Sequence, residues 1–298
     1  MKADLLIYNI SNLYTMNGEN LGKQSHAAIA FRDGQICYIG PTEHAPDSEV
    51  SLSGTKCIGM PGLVDCHTHA VWAGSRSEEF VQRLAGASYS DILEAGGGIL
   101  STVRHTREAS LEQLAASCRA RLISMLINGV TSIEVKSGYG LNPQTEERSL
   151  RAIEQAAGPM NVIPTFLGAH SIPKEYRSNR DAYVRQIIEE QIPLCAPYAT
   201  AIDVYCDKGA FDLDESIAIL TAGKNEGLRI RAHAEQVTHT GISAAAAKLG
   251  ATCVDHLERA KENDIEAMAE NRFSPKSKEI ALLRCFLSLS RAKMYLEN

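Results

Sequence analysis

The chain has 298 residues, 44% of them hydrophobic, and a formal net charge of −6. That is enough for a large core, and the acidic balance argues against nucleic-acid binding, which needs a basic face. No stretch approaches about 18 uncharged apolar residues, so no membrane span is expected.

The N-terminus, "MKADLLIYNISNLYTMNGEN", lacks the uninterrupted apolar core of a signal peptide. Eight cysteines occur without CxxC or regular spacing, which fits reduced thiols and a cytoplasmic setting better than a disulfide framework. Residues 4–57 read as short strands: "DLLIYNISNLYTM", "HAAIAFRDGQICYIG" and "SLSGTKCIGM", broken by Asn-Gly, Asp-Gly and Gly-Pro turn signals. A small β-region over 1–59 follows from them.

From Met60 the texture changes. Strands are predicted at "GLVDCH", "GVTSIEVK", "NVIPTFLGAH", "AIDVYCD", "LRIRAHAE" and "ATCVDHLE". Helices are predicted at "LEQLAASCRARLISMLING", "PQTEERSLRAIEQAAG", "DLDESIAILTAGKNEG" and "TGISAAAAKLG", several of them ending in glycine. Alternating strands and helices imply a parallel sheet, either a barrel or a doubly wound sheet. No GxGxxG opens a helix after the first strand. His67, Lys136, His170, Asp207, His233 and His256 stand at successive strand ends, where a (β/α)8 barrel of the TIM type builds its site. The fold class is therefore α/β, an incomplete TIM-type barrel over 60–270 with six β/α units where closure needs eight. Residues 271–298 form a divergent tail with six Lys/Arg against two Glu, no Asp, and one amphipathic helix around Ile280 to Leu289. "AGGGI" at 95–99 has no following Lys-Ser/Thr, so a loop over the mouth is expected rather than a phosphate cradle.

Strand side chains alternate, so Asp65, His67 and His69 share one face and Cys66 and Thr68 the other. Two imidazoles projecting together make a clamp for zinc, iron or nickel. Alone, the triplet is equally a pair of satisfied or exposed histidines. His233 and His256 end later strands that a barrel brings to the same mouth, which favours the metal. His105 and His239 fall in helix or loop context and are expected to face solvent.

"PGLVDCHTHAVWAGSR", "AGGGILSTV", "EVKSGYGL", "FLGAHSIP", "DVYCDKGAF", "AHAEQ" and "DHLE" together resemble the imidazolonepropionases of histidine degradation, in the amidohydrolase superfamily. The likeness runs from about residue 4 to about residue 260. It implies one Zn²⁺ or Fe ion held by His67, His69 and His233, with His256 beside the attacking water. It implies a small-molecule substrate, 4-imidazolone-5-propanoate, opened at its cyclic amide to N-formimidoyl-L-glutamate. Arg76 would pair with the propionate, Tyr89 and Tyr139 would contact the substrate, His170 would hydrogen-bond it, and Gln236 would hold the ring. The family's fourth ligand, an aspartate at the end of strand eight, finds no counterpart in the tail, so impaired turnover is expected. The family also completes the small β-domain, a composite β-sandwich, with its C-terminal segment. The alternatives are a truncated inactive form that only binds metal or ligand, and a related amidohydrolase or deaminase. Binuclear relatives use a modified lysine at strand four, and none ends "AIDVYCD". An open six-strand sheet leaves two edges unpaired, which a homodimer would cover.

Overall fold

The computed structural model describes residues 2–86, 88 and 97–271. The chain divides into two compact units, Met1–Leu63 and the part from Val64 onward.

The first unit is a five-stranded sheet of β1 (Ala3–Tyr14), β2 (Lys23–Arg32), β3 (Gln35–Pro41), β4 (Ser48–Ser53) and the short β5 (Ile58–Gly59). Its order is β3-β2-β1-β4, with β5 also pairing β1. The Asp-Gly signal does what its chemistry requires. Asp33 and Gly34 both take positive φ, 51° and 72°, the hairpin geometry whose twist matches the flanking antiparallel strands. Ile10, Leu13 and Ala27 form the small core, with Ile7 and Ile29 packed on it.

The second unit carries all six predicted strands: β6 (Leu63–Asp65), β7 (Val130–Lys136), β8 (Asn161–Ala169), β9 (Ala201–Val204), β10 (Arg229–Ala234) and β11 (Cys253–His256). They lie side by side in chain order, and every pair from β7 to β11 is parallel. That sequential parallel order is the barrel's and not the doubly wound sheet's.

Nine helices are described. They are α1 (Ser77–Leu84), α2 (Ile99–Glu108), α3 (Leu111–Ile127), α4 (Pro143–Ala156), α5 (Arg180–Gln186), α6 (Ile192–Cys195), α7 (Leu213–Asn225), α8 (Ile242–Leu249) and α9 (Glu262–Glu270). The four predicted ones, α3, α4, α7 and α8, start and stop where the sequence signals them. Ser110 with Gln113 and Asp212 with Glu215 form capping boxes, Asn142 caps α4 ahead of Pro143, and Gly250 closes α8 at φ 85°. Leu114, Cys118 and Leu122 of α3, Leu150 and Ile153 of α4, and Ile219 and Leu220 of α7 bury their faces with Ile133, Phe166, Ile202 and Ile230 of the strands. Helices α1, α2, α5, α6 and α9 were not predicted.

Three predicted strands, β6, β9 and β11, end two or three residues early, the last at His256. β6 stops at Asp65, so His67 and His69 lie just beyond the ladder. They still alternate with buried Cys66 and Thr68, because Thr68 is tied to β7: its Oγ1 donates to Glu134 O at 2.7 Å and its carbonyl accepts Lys136 N at 2.9 Å. β9 stops at Val204, which leaves Asp207 in the following loop.

Among the described residues, Cys37, Cys57, Cys66, Cys118, Cys195 and Cys206 are free thiols. Among the described residues no helix is long and apolar enough to cross a membrane.

Candidate metal and substrate site

Five of the nine histidines gather at the strand ends. The His67 ring centroid lies 5.3 Å from His69, 4.6 Å from His233 and 5.3 Å from His256. His69 stands 5.5 Å from His233 and stacks on His170 at 5.1 Å. His67, His233 and His256 each bring a ring nitrogen within 4.8 Å of the others.

The backbone is strained where two of these rings are aimed. His256 and Leu257 take φ of 78° and 70°, and Glu235 after β10 takes 54°. Such conformations cost non-glycine residues on the order of 1–3 kcal/mol each and persist where the surroundings enforce them.

Beneath the rings lies a charged layer that sequence reading missed. Lys136 is fully buried, with its Nζ 2.8 Å from Glu134 Oε1, 2.6 Å from Asp203 Oδ2 and 3.5 Å from Asp255 Oδ2. Arg231, 3% exposed, reaches Asp255 Oδ2 at 3.2 Å and Glu134 Oε1 at 3.4 Å, and donates to Cys66 O at 2.7 Å. The signal was present as charged residues at alternate positions inside apolar strands: Glu134 and Lys136, Arg231 and His233, Asp203, Asp255.

This layer touches the imidazoles. Asp255 Oδ2 lies 3.0 Å from His67 Nδ1, and Asp203 Oδ2 lies 3.1 Å from His233 Nδ1. A carboxylate this close to Nδ1 favours the proton there, which leaves the Nε2 lone pair for a metal. Burial opposes ionisation of Asp203, but the His233 and Lys136 charges outweigh it and hold the carboxyl well below its usual range. Burial likewise opposes ionisation of Asp255, but its bond to His67 and the charges of Lys136 and Arg231 lower it. Burial drives His233 down to about 4, against the pull of Asp203. Burial and the neighbouring histidines also lower His69. Lowered in this way, His69 and His233 are neutral at physiological pH, as metal ligands must be. His69 Nδ1 and His233 Nδ1 are both buried without a hydrogen bond of good geometry among the described residues, which suits a cluster that gathers around a metal. The donor set therefore fits a first-row ion.

A second group, Glu235, His239 and Asp264, has the composition of a cation site, but its oxygens are committed. Glu235 accepts from Thr240 N at 2.6 Å, Ser243 N at 3.1 Å and Ser243 Oγ at 3.0 Å, which covers the start of α8. Asp264 Oδ2 accepts Lys261 N at 2.8 Å and holds His239 Nε2 at 2.8 Å. His239 is thus not the solvent-facing residue expected, because its ring is fixed between β10 and α9. His105 is half-buried too, with Nδ1 2.8 Å from Ser101 O.

The glycines of "KSGYGL" have a physical reason. Glu146 of α4, fully buried, accepts Gly138 N at 2.9 Å, Gly140 N at 2.7 Å and Leu141 N at 2.8 Å. Gly138 has φ 106°, and a Cβ there would stand 2.8 Å from Leu167 O. The turn sets Tyr139 against His170 and His69, at 5.2 and 5.9 Å between centroids. His170 Nδ1 bonds Gly138 O at 2.9 Å. A carbonyl only accepts, so Nδ1 carries the proton and Nε2 is left as an acceptor.

Tyr139 also lines a cavity of about 350 Å³ with Trp72, Arg76, Glu79, Phe80 and Arg83. Arg76 donates Nε–H to Glu79 Oε2 at 2.9 Å, leaving its terminal nitrogens for a ligand. Glu79 Oε1 accepts Gly98 N at 3.0 Å. Gln236 is half-buried in the bend after β10. Asp207 is not part of the cluster. It accepts Val237 N at 2.7 Å and Thr238 Oγ1 at 2.6 Å, clamping the loop after β10. The one buried lysine of the site is on β7, not on β9, where a metal-bridging lysine would stand. Tyr89, the first two residues of the "AGGG" run and the tail after 271 lie outside the described residues.

A sequential parallel sheet with imidazoles at its strand ends and carboxylates behind them is the architecture of an α/β barrel with a candidate metal site. The amidohydrolase family model matches residues 58–287, and the chain belongs to that family. The match continues into the segment expected to leave the family pattern at about residue 271. The structure of a mutant of the atrazine chlorohydrolase TrzN from Arthrobacter aurescens, complexed with zinc and atraton, matches with a TM-score of 0.55 at 16% identity, covering 91% of this chain and 64% of that one. Within the family the chain groups with the imidazolonepropionases. It is 44% identical over 265 residues to that of Sphingopyxis alaskensis, covering 87% of this chain and 65% of the relative. It is 43% identical over 281 residues to that of Caldanaerobacter subterraneus subsp. tengcongensis, covering 90% and 68%. The chain spans about two thirds of the length of the curated relatives it matches.

Proposed function

We propose that this chain binds one zinc or iron ion through His67, His69 and His233 and opens the cyclic amide of 4-imidazolone-5-propanoate to N-formimidoyl-L-glutamate. The observation that carries this reading is the convergence of three strand-end imidazoles, two of which, His67 and His233, have Nδ1 3.0 and 3.1 Å from the carboxylates of Asp255 and Asp203. When bound, the ion supplies Lewis acidity and lowers the pKa of a water from 15.7 towards about 7.

The chain's own groups do the rest. The terminal nitrogens of Arg76 pair with the propionate, a charge-assisted contact in a cavity of the right order of size. His170, whose Nε2 is an acceptor, takes a hydrogen bond from a ring N–H. Tyr139, with Tyr89, contacts the substrate, and Gln236 holds the ring. His256, whose ring is 5.3 Å from His67, stabilises the charge that develops at the attacked carbonyl. The departing ring nitrogen must be protonated, and a positioned acid contributes about 10²–10⁴-fold. Asp203 and Asp255 are committed to Lys136 and to the histidines, so neither is the acid for this step. A cytoplasmic setting, a homodimer and the absence of nucleic acid or membrane partners complete the reading.

Elemental analysis and a ring-opening assay on the purified chain test it. We expect about one equivalent of zinc or iron, and loss of both metal and turnover in a His67→Ala/His69→Ala double variant. Equal metal content in the two proteins overturns the ligand assignment. Metal without turnover leaves a chain that only binds its ligands, and turnover on a different cyclic amide or an amine points to another amidohydrolase activity.

A further inference from the structure

Lys136 is the fully buried lysine of the site, and no step above uses it. Taking an ammonium out of water is expensive, and a buried ion pair is by itself weak evidence of stabilisation. Its surroundings suggest a different use. An ammonium has three N–H donors, and three carboxylate oxygens surround this one at 2.8, 2.6 and 3.5 Å. Two of those oxygens, Asp203 Oδ2 and Asp255 Oδ2, are the same atoms that lie 3.1 Å from His233 Nδ1 and 3.0 Å from His67 Nδ1. Arg231 bridges Asp255 and Glu134, whereas Lys136 joins Asp203 to Asp255.

We propose that Lys136 is the positioning residue for the metal site: its ammonium holds Asp203 and Asp255 in place, and through them fixes the orientation of His233 and His67. The proposal rests on the reading of these imidazoles as metal ligands. Without the ammonium, two carboxylates gathered around one point in a dry interior repel each other and lose a shared donor. Each is then free to turn away from the ring it orients. The formal balance also changes. Three carboxylates against Lys136 and Arg231 leave one negative charge beneath the neutral rings, which complements a divalent ion. Neutralising Lys136 leaves two, and although Arg231 still bridges Asp255 and Glu134, no cation then joins Asp203 to them.

The test uses the 298-residue chain and zinc alone. Zinc dissociation constants are measured by competition with a chromophoric chelator, and visible spectra are taken after cobalt(II) substitution. Lys136→Met keeps an unbranched side chain one atom shorter and removes the charge. It is expected to weaken zinc binding about 10–100-fold, the usual effect of losing an outer-shell partner, and to change the cobalt spectrum. Tyr183→Phe is the control for general loosening, since it deletes a fully buried hydroxyl that donates to Gly168 O at 2.9 Å. Its zinc affinity is expected to stay within about threefold of the parent. A Lys136→Met constant within threefold of the parent overturns the proposal, as does an equal loss in Tyr183→Phe. If Lys136→Met does not fold, Asp203→Asn removes the 2.6 Å partner instead. The same 10–100-fold loss is then required, and an unchanged constant overturns the proposal. Zinc affinity that is unchanged in His67→Ala/His69→Ala marks the separate failure of the ligand assignment on which the proposal rests.

Discussion

Replacing Glu146 by Gln removes the centre of the turn that presents Tyr139. The carboxylate is fully buried and accepts three backbone N–H groups at 2.7 to 2.9 Å, two on Oε1 and one on Oε2. Burial pushes its pKa upward, against Ser137 and the three amides. Donors on both oxygens nevertheless leave no place for a carboxyl proton, so the ionised form is the one the turn fits. Gln keeps one carbonyl oxygen for Gly140 and Leu141 but turns an NH₂ group towards Gly138 N–H. One charge-assisted bond is lost and a buried donor is left facing a donor. At about 1.5–3 kcal/mol for a bond to a charged group, plus about 1–3 kcal/mol for an unsatisfied one, partial relaxation brings the expected loss to about 2–4 kcal/mol. Urea unfolding measures the total. Hydrogen exchange locates it, with the Gly138 amide expected to exchange at least about 30-fold faster, given 1.36 kcal/mol per tenfold. A stability change under about 0.5 kcal/mol with unaltered exchange at Gly138, Gly140 and Leu141 would refute the assignment of this turn to Glu146.

Two further outcomes follow from the site. Arg76→Met should weaken binding of a propionate-bearing substrate analogue by about 2–4 kcal/mol, at the lower end because the guanidinium side chain is 46% exposed, and titration calorimetry reads this directly. Unchanged affinity would remove Arg76 from the carboxylate-binding role. In the metal-free chain, kept so with chelator, acid should destabilise the fold through the histidines. His233 titrates at about 4 when folded and at 6.5 when unfolded, so below 6.5 the unfolded chain binds a proton that the folded chain does not. Stability is therefore full above pH 6.5 and is lost as pH falls towards 4, by about 2 kcal/mol at pH 5 from this residue alone. Equal urea midpoints at pH 7 and pH 5 would contradict the neutral, buried state of His233.

Local chemistry determined much of this protein. Alternating apolar runs and helical faces placed six strands and four helices, and Asp33-Gly34 specified its hairpin from two residues. The histidines could be read because a barrel puts strand ends at one mouth, so their positions within "CHTH", "RAHAE" and "VDHLE" were enough. The short strand ends were decided by partners: Thr68 bonds to β7 while β6 has already left the ladder, and no pattern within 62–70 encodes that. Helices α1 and α2 were missed because their apolar positions fall in segments rich in charge, glycine and hydroxyls, where periodicity is weak. His239 looked like a loop residue until α9 brought Asp264 to it from 25 positions away. The charged layer shows the division most plainly. Lys136 and Asp203 are 67 residues apart, and Arg231 bonds a carbonyl 165 positions earlier. Propensity and period report a residue's own neighbourhood, but the choice between an isolated buried charge and a neutralised one depends on what adjacent parallel strands bring alongside it, and only the assembled sheet fixes that.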